Sequence, residues 1–224
     1  MIETKSQVLF ITDIDGTLLD SKVAIGNAAA QTIEEFIGRR VQSEIFFPHI
    51  GVPIKTVFQD YLSSEQIEAA LPYFRKRLIA EGLVSTVPME GSVKVLEKFK
   101  SLGVKICAAS NKIGPLAEKV LDQQELLAIF DGIYGSDKHS PKPDPEMIQQ
   151  AMADFPSTLN VMFGDRPEDV ISGNLAGATT VFLSGEFNYL LEQENCKPAF
   201  QVKCWSDLLE LPPLKQVWEA HEIL

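Results

Sequence analysis

The sequence predicts an α/β fold: a doubly wound, mostly parallel sheet with a helical segment inserted after the first strand. Two observations support this prediction. Apolar runs of strand length alternate with helical patterns from residue 87 onwards, which is typical of such sheets. From residue 26 to about residue 83, by contrast, helical patterns follow one another and little is typical of a strand.

The composition is that of a soluble globular protein of one or two domains, with 224 residues, 45% hydrophobic and 23% charged. The net charge of −11 argues against a surface for nucleic acid or for anionic membranes. A small anionic substrate is still compatible with it, because a bound cation and a few lysines can reverse the charge locally.

Several absences favour a cytoplasmic protein. No apolar run approaches the ~18 residues that a membrane-spanning helix needs. The N-terminal residues lack the apolar region of a signal peptide. The cysteines, Cys107, Cys196 and Cys204, are widely separated, which favours free thiols in a reducing compartment over a disulfide.

The first predicted strand, residues 8–12, ends in two aspartates, Asp13 and Asp15, and Gly16 then allows a sharp turn. Ligands of open α/β sheets bind beyond the carboxyl ends of the strands. Two carboxylates are costly to crowd there unless a cation or a proton relay uses them. On this stretch alone, an ordinary Asp-Gly turn and a nucleophile with an acid/base at a divalent metal are both possible.

The helical segment is predicted to contain a helix over residues 28–37, a short helix ending at Phe58, and a longer one that begins at Ser64. Pro72 is expected to break or kink the longer helix.

Strands and helices then alternate. Helices are predicted near residues 92–102, 115–127, 145–153 with Asp144 as N-cap, 167–176 and 205–211. Strands are predicted at 104–109, 132–134, 159–163, 179–183 and 200–202, and residues 190–198 have the least regular pattern.

Polar residues follow three of these later strands or open the next helix. Ser110 and Asn111 offer donors suited to a phosphate or oxyanion, although such a pair is also common in turns. Lys142 lies between two prolines, which stiffen the loop and would fix an ammonium beside the two aspartates, unless it is only a solvated surface lysine.

The last of these stretches, Gly164-Asp165, lies where a strand gives way to a helix, with Asp169 one helical turn further on. Acidic residues are also favoured at a helix N-terminus by the dipole alone. Chance assembly of all four stretches in this order is improbable, so we expect them to form one site.

With these stretches the sequence resembles the haloacid dehalogenase-type phosphatase superfamily, in its phosphoglycolate phosphatase and β-phosphoglucomutase-like branch. Its four motifs occur in the family's order, at residues 13–17, at residues 110–111, at Lys142, and at residues 164–165 with Asp169. Residues 88–91 and 176–178 are also similar to that branch, and the likeness covers essentially the whole chain.

The resemblance implies roles for the aspartates. Asp13 would be the nucleophile that forms an aspartyl-phosphate, and Asp15 the acid/base. Mg²⁺ would be held by the Asp13 carboxylate, the Asp15 backbone carbonyl and Asp165. Asp169 would be a secondary or water-mediated metal ligand, or would orient Lys142.

The other motif residues, Ser110, Asn111 and Lys142, would hold the phosphoryl oxygens. Residues 21–85, here called the insert, occupy the position of the family's cap domain. The resemblance thus implies a discontinuous Rossmann-like core of residues 1–20 and 86–224. Four residues of the insert are candidates for substrate contact, although residues of these types are more often solvated surface: Lys22, His49, Lys55 and Arg75. Arg166 receives no role from the sequence.

The resemblance implies hydrolysis of a small phosphate monoester, with a small phosphorylated metabolite as the partner. A phosphomutase would need the same four motifs and stays an alternative, as does a catalytically idle binding protein on this scaffold. A dehalogenase is disfavoured, since it would have no use for an acid/base at Asp15. The substrate and the oligomeric state cannot be read from the sequence.

Overall fold

The computed structural model describes residues 6–185, 187–193 and 196–221. Its centre is a six-stranded parallel sheet in the order β5-β4-β1-β6-β7-β8. The strands are Ser6–Thr12 (β1), Lys105–Ser110 (β4), Gly132–Gly135 (β5), Ser157–Gly164 (β6), Thr179–Leu183 (β7) and Phe200–Val202 (β8). The predicted fold class, an α/β protein with a parallel Rossmann-like sheet, is confirmed.

Strand β1 is buried on both faces of the sheet, which explains its unbroken apolar sequence. Val8 and Phe10 belong to one layer of the core, and Leu9 and Ile11 belong to the other. Helices Ser92–Ser101 (α4) and Gly114–Gln123 (α5) cover the first face, and helix Glu146–Asp154 (α6) covers the second.

The strand order reverses at β1, because the chain passes to β4 on one side and to β6 on the other. Such a reversal opens a crevice at the carboxyl ends of the central strands. Asp13 lies at this edge of the sheet, where its backbone N–H donates to the carbonyl of Phe163 at 2.9 Å. The topology therefore brings the loops after β1, β4 and β6 together.

The insert is helical, as predicted. It contains helices Lys22–Ile37 (α1), Ile54–Phe58 (α2) and Ser64–Ser85 (α3), with a 3₁₀ helix at Ser43–His49. Helices α1 and α3 pack together, with the rings of Phe36 and Tyr73 edge to face at 6.2 Å. The division into two domains at these boundaries stays a prediction.

The insert leaves and rejoins the core through a two-stranded antiparallel ribbon. Strand Leu19–Asp20 (β2) pairs with strand Val87–Pro88 (β3), Leu19 opposite Pro88 and Asp20 opposite Val87. The two ends of the insert are thus held side by side.

The predicted break of helix α3 at Pro72 is wrong, whereas the predicted kink stays a prediction. The helix runs through this residue as one element, because Pro72 lies on its exposed side. Water can therefore hydrate the carbonyl of Glu68, which loses its helical donor to the proline ring.

Other boundaries also differ from the predicted ones. Helix α1 begins at Lys22, and α5 ends at Gln123 before a short 3₁₀ turn at Leu127–Ile129. Helix α6 begins one residue late, although the Asp144 carboxylate still accepts from the backbone N–H of Glu146 at 3.0 Å.

Near the C-terminus the structure has more helix than predicted. Helix Asn188–Gln193 (α8) lies partly in the stretch predicted to be irregular, and helix Pro212–His221 (α9) follows the predicted closing helix, which is a 3₁₀ helix at Trp205–Glu210. Helix Pro167–Ala176 (α7) has the predicted bounds and ends before Gly177, which has a left-handed conformation. Within the described residues, every helix is too short or too polar to span a bilayer.

Trp205 joins the C-terminal segment to the loop after β1. Its indole Nε1 donates to the carbonyl of Thr17 at 2.8 Å, and its ring meets that of Phe163 edge to face at 5.0 Å. The C-terminal segment therefore anchors the loop that carries the two aspartates.

Trp205→Phe should destabilise the fold by about 1–3 kcal/mol, because it leaves the buried Thr17 carbonyl without its donor while keeping most of the ring packing. Urea unfolding followed by circular dichroism measures the change. An unchanged midpoint would contradict the anchoring role of this hydrogen bond.

Candidate active site

The structure brings all the predicted site residues to one edge of the sheet. Asp13 and Asp15 follow β1, Ser110 ends β4, and Asp165 follows β6. Lys142 comes from the loop between β5 and α6, and Asp169 lies in the first turn of α7. These six side chains are buried, and Asn111, the seventh predicted site residue, follows Ser110 and is half-buried.

Lys142 is the central cation of this site. Its Nζ atom donates to Asp13 Oδ1 at 2.7 Å, to Asp169 Oδ1 at 2.6 Å and to the carbonyl of Ala109 at 2.7 Å. These bonds use all three ammonium protons. Burial alone would lower the pKa of Lys142, but the carboxylates of Asp13 and Asp169 raise it above its ordinary value, so the side chain stays charged.

The lysine was expected beside Asp13 and Asp15, and its second partner is Asp169 instead. Asp15 has a different cation, the Nζ atom of Lys112, which binds Asp15 Oδ2 directly. The other carboxylate oxygen, Oδ1, accepts from Ser21 Oγ at 2.5 Å. Sequence reasoning missed Lys112, whose only signal is that it follows Ser110 and Asn111 at the end of a strand.

Three carboxylates form a cluster suited to a cation. Oxygen atoms of Asp13, Asp165 and Asp169 lie within 4.8 Å of one another. Thr17 Oγ1 donates to Asp165 Oδ1 at 2.8 Å, and the backbone N–H of Arg166 donates to Asp169 Oδ2 at 3.0 Å. These hydrogen bonds fix the orientation of two of the carboxylates.

Glycine allows the close approach around these carboxylates. At Gly16, which has a φ of +86°, a Cβ atom would overlap the carboxylate of Asp165. At Gly164 a Cβ atom would overlap the side chain of Asp169. The two glycines of the predicted motifs therefore make room for the cluster.

The electrostatics indicate a deficit of positive charge. The pKa of Asp13 is raised to about 7, and burial is the largest cause. Lys142 lowers this pKa, whereas the nearby carboxylates of Asp169 and Asp15 raise it further. Burial, with Asp13 and Asp169, likewise raises the pKa of Asp165. One lysine does not balance three buried carboxylates, and an oxygen-preferring divalent cation such as Mg²⁺ fits this donor set.

Asn111 is positioned differently from a simple phosphate ligand. Its Oδ1 accepts from the backbone N–H of Lys142 at 2.8 Å. Its Nδ2 donates to the carbonyls of Gly51 at 2.9 Å and Lys142 at 3.3 Å. Asn111 thus holds the Lys142 loop. The phosphate-binding roles of Asn111 and of Ser110, whose Oγ accepts from the Lys112 N–H at 3.2 Å, stay predictions.

A cavity of about 280 Å³ lies between these loops and the insert, with Asp13, Asp15, Ser110 and Lys112 in its wall. Of the four insert candidates, His49, Lys55 and Arg75 line it. Lys22 lies instead at a separate cavity bordered by Gly16 and Asp165. Lys55 pairs with Glu68 at 2.7 Å on the exposed side of the insert.

The match to a known family is extensive. Residues 9–183 match the family model described as haloacid dehalogenase-like hydrolase. The chain belongs to the haloacid dehalogenase-like hydrolase family. This confirms the resemblance to that superfamily and identifies the protein as a hydrolase of the family.

Curated relatives and a solved structure agree with this family. A phosphoglycolate phosphatase of Aquifex aeolicus is 28% identical over 206 residues, 91% of this chain and 95% of that one. A pyrophosphatase PpaX of Bacillus velezensis is 24% identical over 216 residues, 94% and 99% of the two chains. A haloacid dehalogenase-like protein of Streptococcus pneumoniae superposes with a TM-score of 0.78 at 22% identity, covering 92% of this chain and 97% of that one.

Magnesium should raise the melting temperature more at about pH 8 than at about pH 6, because at the lower pH the cation has to displace a proton from Asp13. The folded-state pKa of Asp13, about 7, lies above the ordinary 3.8. Without metal, its contribution to stability is therefore present at low pH and is lost as the pH rises through 7.

Calorimetric melting with and without MgCl₂ measures this effect. Asp165→Asn should remove most of the magnesium response, whereas Asp60→Asn, on an exposed residue of the insert, should keep it. A magnesium response that is equal at both pH values would contradict the assignment of these carboxylates.

Proposed function

We propose that this chain is a Mg²⁺-dependent phosphatase that hydrolyses a small phosphate monoester through an aspartyl-phosphate at Asp13. The observation that carries the proposal is the setting of Asp13. Its carboxylate is held by Lys142, forms the acidic cluster together with Asp165 and Asp169, and lines a cavity that Asp15 lines as well.

The residues that would hold the metal are Asp13, Asp165 and Asp169, together with the backbone carbonyl of Asp15. When bound, Mg²⁺ supplies positive charge that attracts the phosphoryl oxygens and screens them from the carboxylates. Its charge also favours the ionised form of Asp13, which the nucleophile needs.

In the first step a carboxylate oxygen of Asp13 forms a bond to phosphorus while the bond from phosphorus to the leaving oxygen breaks. Asp15, protonated for this step, gives its proton to the leaving oxygen. Lys142 keeps the Asp13 carboxylate in place, and Ser110, which lines the cavity, would hold a phosphoryl oxygen.

In the second step Asp15, now a carboxylate, removes a proton from water, and the water oxygen attacks phosphorus. The bond between phosphorus and Asp13 breaks, which releases inorganic phosphate and restores both side chains. Ser21 and Lys112 fix the two oxygens of Asp15, so the same group can face the leaving oxygen and then the water.

The cavity favours a leaving group that carries its own negative charge. Lys112 lies beside Asp15, where the leaving oxygen must be, and Arg75 of the insert lines the same cavity. The names of two relatives, phosphoglycolate phosphatase and pyrophosphatase, denote substrates with such leaving groups. Inorganic pyrophosphate is therefore a second candidate substrate.

Asp13→Asn should reduce turnover by at least about a thousandfold, because the amide cannot act as the nucleophile. A similar melting temperature at about pH 6 would show that the fold is intact. If this variant kept the wild-type rate on the best substrate, the proposed mechanism would be wrong.

A screen of the wild type against a broad panel of phosphorylated metabolites tests the alternative of a binding protein. Absence of activity on the whole panel would favour that alternative.

A product assay separates the phosphatase from the phosphomutase alternative. Incubation with Mg²⁺ and phosphorylated metabolites, sugar phosphates included, should release inorganic phosphate. Isomerisation of a sugar phosphate without phosphate release would overturn hydrolysis as the main activity.

Arg75→Met should raise the KM for 2-phosphoglycolate by about tenfold, since a charge-assisted hydrogen bond is lost, and change the KM for p-nitrophenyl phosphate by less than about twofold. Arg39→Met is the matched control, because Arg39 is an exposed arginine of the insert outside the cavity wall. Equal effects of Arg75→Met on both substrates would contradict recognition of a charged leaving group.

A further inference from the structure

Arg166 is a buried cation that the proposed chemistry does not use. It follows Asp165 directly, in the loop between β6 and α7, and its side chain is 8% exposed. Arginine is seldom buried without partners, so its contacts indicate what it holds in place.

On the core side Arg166 is fixed in three ways. Its Nε and Nη2 donate to the two carboxylate oxygens of Glu168, at 3.2 and 3.4 Å. Its guanidinium lies over the ring of Phe187, 4.7 Å from the centroid. Its backbone N–H donates to the carboxylate of Asp169, so its main chain is bonded directly to the acidic cluster.

On the other side Arg166 contacts the insert. Its Nη1 donates to the carbonyl of Pro48 at 3.3 Å. Its aliphatic stem packs on Gly51, where a Cβ atom would overlap Arg166 Cδ. Gly51 has a φ of +89°, a conformation that glycine adopts without strain.

Residues 48–53, here called the insert loop, are thus held by two site residues. Arg166 binds the loop from the acidic cluster, and Asn111 donates to the carbonyl of Gly51 while it also holds the backbone of Lys142. The loop in turn supplies His49, Gly51, Val52 and Pro53 to the wall of the cavity.

We propose that Arg166 is a positioning residue that couples the insert loop to the acidic cluster, so that ions bound at the cluster hold the leaving-group side of the cavity in place. The proposal rests on the proposed function. Ions that order Asp165 and Asp169 also order the backbone between these two residues, which includes Arg166. Because the rigid guanidinium of Arg166 contacts Pro48 and its stem contacts Gly51, the insert loop becomes ordered as well. Such coupling is reciprocal, so a fixed insert loop also favours ion binding.

Hydrogen–deuterium exchange with inorganic phosphate and Mg²⁺ as the probe tests the coupling. In the wild type, peptides from residues 8–20 and 44–58 should both exchange more slowly when the probe is added. In Arg166→Ala the protection at residues 8–20 should persist, and the protection at residues 44–58 should fall at least about fivefold. Arg40→Ala, which removes an exposed arginine of the insert, should behave like the wild type.

The outcomes separate the two proposals. No protection of residues 8–20 in the wild type would overturn the phosphatase site, and the coupling with it. Protection of residues 8–20 without protection of residues 44–58 in the wild type, or full protection of both in Arg166→Ala, would overturn the coupling alone.

A pair of glycine variants tests the same contact without removing the buried charge. Gly51→Ala should reproduce the loss of protection at residues 44–58, because its Cβ displaces Arg166. Gly38→Ala should not, since Gly38 also has a positive φ, +64°, but a Cβ there would meet nothing within 4 Å. Equal exchange in the two variants would overturn the coupling even if Arg166→Ala fails to fold.

Kinetics distinguishes positioning from a merely structural role. Arg166→Lys, which keeps the charge but not the planar fork, should raise the KM for 2-phosphoglycolate about fivefold and leave kcat for p-nitrophenyl phosphate within about twofold. A uniform loss of kcat for both substrates would contradict the positioning role.

Discussion

The buried ammonium of Lys142 is the interaction on which the rest of the site depends. It joins the loop after β1 to the start of α7 through Asp13 and Asp169, and it reaches β4 through the carbonyl of Ala109. The ammonium group thereby connects its own loop with three other segments of the chain. Removing Lys142 would leave the buried carboxylates without their cation, which is strongly destabilising.

The one lysine is nevertheless not enough for the carboxylates that surround it. The raised pKa values of Asp13 and Asp165 express this imbalance, and a divalent cation resolves it without adding another side chain. The protein thus holds Asp13, the proposed nucleophile, in a setting that a bound cation would make more favourable. This preorganised strain is typical of sites that stabilise a highly charged transition state.

Much of this arrangement could be predicted because parallel strands deliver their carboxyl ends to one edge. Three strands end at Thr12, Ser110 and Gly164, where apolar runs of the sequence give way to polar residues. This change is visible in the sequence itself. The partner of each charge could not be predicted in this way. Lys112 and Arg166 act through contacts with residues far away in the chain. The helix at Pro72 depends on exposure, since water can reach the carbonyl that lacks a donor.

The ribbon of β2 and β3 has a consequence for how such proteins diversify. Asp20 and Val87 are paired neighbours, so the whole insert is closed over a gap of only ~5 Å, the spacing of adjacent strands. The free energy of closing a loop rises only slowly with its length. Helices of very different number and size could therefore be exchanged between these two points without moving the sheet or the aspartates. The architecture separates the part that can vary from the part that reacts.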